Sequence, residues 1–120
     1  MSDNRIILLV TRDAGLRSAI AATLGIAGIA IITVDNCHGA RVGGHLGRAS
    51  ILIVDDELSS PDRKAWIVDL RQRSQRARLI LLTNEPTGDW DDDDIALVPK
   101  TRAAPTILEL LRGWVITGSD

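Results

Sequence analysis

The sequence predicts a three-layer α/β fold built on a five-stranded parallel sheet, and three observations carry that prediction. Five apolar runs, at 5–10, 30–34, 51–54, 79–82 and 95–98, are nearly continuous in Ile, Leu and Val and do not alternate with polar residues. Strands that read this way are covered on both faces, as in a parallel sheet with helices above and below it. Segments with helical periodicity separate the runs, so strands and helices alternate and right-handed crossovers are expected. The 120 residues suit one domain, spanning 1–120, large enough to bury its own core.

Each element has its own local reason. The first helix, 14–24, carries Leu16, Ile20 and Leu24 at four-residue spacing, and Asp13 is a good N-cap for it. The slot at 36–48 holds Gly39, Gly43, Gly44 and Gly47, each costing roughly 1 kcal/mol against alanine in a helix interior, so a frayed or partner-dependent helix is expected. The helix at 61–73 has Ser60 as cap, Pro61 in its first turn, and Trp66, Ile67 and Leu70 for the core. The slot at 84–94 contains Pro86, Gly88 and four consecutive aspartates, which leaves a short turn or an irregular loop. The last helix, 105–115, opens on Pro105 and places Ile107, Leu108, Leu111 and Val115 on one face.

Composition removes several function classes. The formal net charge is −2 and no basic patch stands out, since Arg71, Arg73, Arg76 and Arg78 read as a solvated helix end. There is no Phe or Tyr and only three Trp, so a base-stacking surface is nearly absent and no nucleic-acid partner is expected. One cysteine, Cys37, excludes an internal disulfide framework and suits a reducing compartment. The apolar start is too short for a secretory signal, and Gly25 and Gly28 break the stretch 19–34, so no membrane partner and a cytoplasmic location are expected. His38 and His45 lack partners at metal spacing and read as surface residues. Trp90 either tucks over the sheet edge or marks a contact surface, and Trp114 is expected to pack on the sheet, with a dimer contact as the alternative.

In an open parallel sheet, functional residues collect at the carboxyl ends of the strands. Those ends read Thr11-Arg12-Asp13, Asp55-Asp56-Glu57, Thr83-Asn84 and Lys100. An aspartate, a hydroxyl and a lysine converging from three strands resemble the receiver domains of two-component response regulators, over essentially the whole chain. Ile51-Leu52-Ile53-Val54-Asp55 looks like the strand that presents the phosphoryl acceptor in that family. Thr83 falls at the family's hydroxyl position, which hydrogen-bonds the phosphoryl group, and Lys100 at the lysine that pairs with the acceptor. The resemblance implies a flavodoxin-like three-layer sandwich with strand order 2-1-3-4-5, here with the fourth helix short or absent.

The departures are as informative. Where the family ends its first strand in an acidic pair that holds Mg²⁺, this chain has Thr11 and Arg12. Two accounts of Arg12 stand open: its guanidinium replaces the metal and permits slow phosphorylation of Asp55, or Arg12 and Lys100 together lock Asp55 in a permanent ion pair. The second is simpler. Asp13 is one residue late and reads as the helix cap. Leu97 stands where the family has an aromatic switch, and Thr101 replaces a cis-proline, so the Lys100–Thr101 peptide is expected to be trans. These features imply a degenerate, or pseudo-, receiver without catalytic activity, metal or other cofactor, supported at its site by Thr83, Lys100, Arg12 and Asp56. Its partner would be a histidine kinase or another signalling domain, with a homodimer left open. The alternatives are a working receiver modified at Asp55, and a small-ligand module, for instance for a cyclic dinucleotide, using Arg12, Arg41 and Arg102.

Overall fold

Leu8, Leu9 and Val10 are all fully buried along one short strand, which requires apolar cover on both faces of the sheet. The computed structural model describes residues 6–35, 48–58, 63–73, 77–84 and 95–117, with the backbone alone for 58, 63, 64 and 114–117. In chain order the elements are β1 (Ile7–Val10), α1 (Ala14–Ile26), β2 (Ile32–Val34), β3 (Ile51–Asp55), a 3₁₀ turn (Asp56–Leu58), α2 (Arg63–Arg73), β4 (Arg78–Thr83), β5 (Ile95–Pro99), a second 3₁₀ turn (Lys100–Arg102) and α3 (Ala103–Thr117).

The five strands form one parallel sheet in the order β2-β1-β3-β4-β5, the arrangement expected from the sequence. Strand order reverses at β1, whose neighbours β2 and β3 lie on opposite sides. The crevice outside the carboxyl ends of β1 and β3 is therefore where a fold of this kind places its site.

Successive residues of each strand feed opposite cores. Leu9, Ile53, Ile80 and Leu82 pack with Ile20 and Leu24 of α1 and Ile107 and Leu111 of α3. Leu8, Val10, Leu52, Val54, Leu79 and Leu81 pack with Ile67 and Leu70 of α2, and Trp66 and Leu97 lie half-buried against that side. Each fully buried Leu or Ile contributes about 2 kcal/mol relative to exposure, so the two cores justify the unbroken apolar runs.

The local signals act as expected at α1. Asp13 is extended at φ −79° and ψ 105°, and its Oδ1 accepts from the Leu16 N–H at 3.0 Å. The helix runs two residues past its apolar periodicity and closes where Gly28 adopts φ 81°, with Ile29 N donating to the Leu24 carbonyl at 2.8 Å.

Boundaries shift elsewhere. The third helix starts at Ala103, not Pro105. Pro105 is then the third helical residue, where the N–H has no intrahelical partner, so its ring costs no hydrogen bond there. The ladders extend beyond the apolar runs to Asp55, Thr83 and Pro99, with Asp55 opposite Leu82 and Thr83 opposite Pro99. Asp55 and Thr83 thus belong to the sheet itself. Arg71, expected in a solvated helix end, instead has buried Nε and Nη2, because it follows Ile67 by one helical turn on the same face. The Lys100–Thr101 peptide is trans. No described helix is long and apolar enough to cross a membrane. The helix slot at 36–47, the Ser60-Pro61 cap, the region of the fourth helix at 85–94 with Trp90, and Cys37, His38, Arg41 and His45 lie outside the described residues, as does the Trp114 side chain.

Candidate functional site at the carboxyl edge of the sheet

Among the described residues, the buried polar and charged side chains are Thr11, Asp55 and Thr83, which follow or end β1, β3 and β4. Buried polar groups must find partners inside the protein, so three of them at one edge define a hydrogen-bonded site.

Asp55 is its centre. Oδ1 lies 2.6 Å from Lys100 Nζ and accepts the Glu57 N–H at 3.0 Å. Oδ2 accepts the Thr11 hydroxyl at 2.8 Å. Both oxygens of a side chain only 2% exposed are thereby occupied by the chain's own donors. Thr11 is placed there by register: Val10 pairs with Val54, so the residues that follow them stand side by side. Its Oγ1 also accepts the Asp13 N–H at 3.1 Å, and its carbonyl accepts from Arg17 Nη1 at 3.3 Å. A continuous chain of hydrogen bonds therefore joins Asp55 to the capped start of α1.

Lys100, at the turn after β5, is 13% exposed. Its Nζ also meets Asp56 Oδ1 at 2.7 Å and Glu57 Oε1 at 3.6 Å. Burial works against its charge, but hydrogen bonds and attraction from Asp55 and Asp56 prevail, and its pKa is pushed up to about 12. For Asp56, burial pulls the pKa up, yet hydrogen bonds from Lys100 and Thr83 and the lysine's charge hold it below the ordinary carboxylate value. The Thr83 hydroxyl thus serves Asp56, the neighbour of the aspartate the sequence singled out.

The structure brings Asp55, Asp56, Thr83 and Lys100 into one network, together with Thr11. It leaves Arg12 out. Arg12 is exposed at the bend after β1 and forms no ion pair with Asp55, so only the lysine half of the anticipated lock exists. Successive residues leaving a strand point to opposite sides, and Thr11 takes the inward place. Arg102 is exposed as well. By sequence alone Thr11 reads only as a missing carboxylate. The available signal was its position directly after a fully apolar strand, where a hydroxyl must be buried and partnered.

No family model matches the sequence, and no curated protein does. Solved structures share its fold. A response regulator receiver domain protein from Bacillus halodurans is 14% identical, with 90% of this chain and 94% of that one covered at a TM-score of 0.68. The chemotaxis protein CheY4 of Vibrio cholerae is 18% identical, covering 90% and 96% at 0.67. The receiver domain of the hybrid histidine kinase CckA is 17% identical, covering 90% and 96% at 0.63. The chain has the flavodoxin-like fold of receiver domains.

Proposed function

We propose that this chain is a pseudo-receiver: a signalling domain of a two-component or related system that acts through protein–protein contact, with Asp55 serving as a structural carboxylate. The observation that carries this reading is the engagement of Asp55, whose Oδ1 and Oδ2 are both held by donors of the chain while the side chain is shut off from solvent.

The donor chemistry does not fit the Mg²⁺ that phosphorylating receivers use. That ion takes oxygen ligands in octahedral array and one or two carboxylates. At the end of β1 the chain offers a threonine hydroxyl already shared between Asp55 and the Asp13 N–H, then an exposed arginine. The Asp13 carboxylate is committed to the Leu16 N–H. The Lys100 ammonium already lies against Asp55 and Asp56. Phosphoryl transfer needs cations that neutralise charge on the equatorial oxygens, and this lysine alone does not replace a metal there. The domain then has no catalysis of its own and is read by its shape, by a histidine kinase or another signalling domain.

Incubation with acetyl phosphate or beryllofluoride, each with and without Mg²⁺, tests the reading by intact mass and amide shifts. The expected result is an unmodified chain with unmoved signals. A phosphoryl adduct on Asp55 would return the domain to the working receivers.

A further inference from the structure

Two donors from neighbouring strands converge on one carboxylate. Thr83 ends β4 and is fully buried, and it stands opposite Pro99, the residue before Lys100. A hydroxyl that donates directionally beside an ammonium that supplies charge is a donor pair suited to an oxyanion. The anion they hold is part of the chain: Lys100 Nζ lies 2.7 Å from Asp56 Oδ1, and the Thr83 hydroxyl bonds the same side chain.

We propose that Asp56 is a built-in anion whose carboxylate fills the oxyanion position between Thr83 and Lys100, and so holds the ends of β4 and β5 in one arrangement with no added group bound. The inference rests on the reading of Asp55 as shielded, because a phosphoryl group on Asp55 would compete for the same donors. Asp56 follows the buried Asp55 directly and opens a 3₁₀ turn, so its carboxylate is tethered at the site. Tethering over so short a span gives an effective concentration of about millimolar or more, which a dissolved oxyanion must match to displace it. The neighbouring acids do not take this place. Asp55 shares the ammonium, at 2.6 Å from Oδ1, but its two oxygens also accept from the Glu57 N–H and the Thr11 hydroxyl, and Glu57 is 68% exposed and 3.6 Å from the ammonium. The consequence is regulatory: Thr83 is permanently engaged, and the β4–β5 edge presents one surface instead of two.

The test compares the full native chain with Asp56→Ala by NMR, with and without millimolar inorganic phosphate. In the native chain, phosphate leaves the Thr83 and Lys100 signals in place. In Asp56→Ala those signals are expected to leave their native positions and broaden on the μs–ms timescale. Phosphate should then move them at least tenfold more than in the native chain. Native positions for Thr83 and Lys100 in Asp56→Ala, or no gain in phosphate response, would overturn the proposal. If that variant does not fold, Thr83→Val removes the hydroxyl at nearly constant shape. The Lys100 ammonium protons should then exchange with water at least tenfold faster, and an unchanged rate would overturn the proposal equally. An Asp55 adduct in the native chain is read by mass and bears on the shielding of Asp55, so the two failures are told apart.

Discussion

Arg12 and Lys100 are two cations at strand ends beside the same aspartate, and the structure treats them in opposite ways. Lys100 is nearly enclosed, bonded to Asp55 and Asp56, and held charged far into alkaline pH. Arg12 stands in solvent at a bend with no ion pair to Asp55. Burial separates them: a lysine shut in with carboxylates has no water to fall back on, whereas an exposed arginine keeps its hydration and gains little from a distant partner. The inward neighbour of Arg12 does the work at its corner, with a hydroxyl that satisfies Asp55 Oδ2 without bringing a charge.

The largest expected effect comes from breaking the enclosed pair. Lys100→Met leaves Asp55 buried without its counter-charge and should lower unfolding stability by about 3 kcal/mol in urea titrations. The same lysine sets an alkaline limit. Its folded pKa of about 12 lies above the ordinary 10.5, so its contribution is complete below 10.5 and disappears as pH rises through 12. Asp56 behaves inversely, because its folded pKa is lowered: its contribution is present above 3.8 and is lost as pH falls through the lowered value. Stability–pH curves of the native chain should show both limbs, and Lys100→Met should abolish the alkaline one.

Thr11→Val ranks second. It strips the donor from Asp55 and the acceptor from the Asp13 N–H at nearly constant volume, for an expected loss of about 2 kcal/mol. An unaltered midpoint would show that Asp55 does not depend on that hydroxyl. Asp13→Ala removes only the cap of α1 and should cost about 1 kcal/mol, visible as faster amide exchange in the first turn of the helix. Arg12→Ala closes the series at under about 0.5 kcal/mol, as for an exposed side chain with no ion pair among the described residues. A loss as large as that of Lys100→Met would erase the distinction between the two corners.

Much of this was legible in the residues. The unbroken apolar runs demanded two covered faces, and Leu8 with Leu9 shows each face receiving alternate side chains. Asp13 announced the start of α1, and Asp55, Thr83 and Lys100 were recognisable at their strand ends. The start of α3 was misplaced by two residues because a proline marks a first turn without naming its position within that turn. Arg71 reads as solvated in the sequence because its neighbours there are charged, while its neighbour along the helix face is the buried Ile67.

The sequence by itself determined the layers, the strands and the chemical groups at their carboxyl ends, since hydrophobic period and capping are local properties. Which donor meets which acceptor was decided by tertiary structure alone. Thr11 and Asp55 stand 44 residues apart and meet through the register of β1 on β3, and Thr83 reaches Asp56 while Lys100 bridges both acids. Partner choice among buried polar groups follows from which side chains a pleated sheet turns inward side by side. That geometry exists only once the strands are paired.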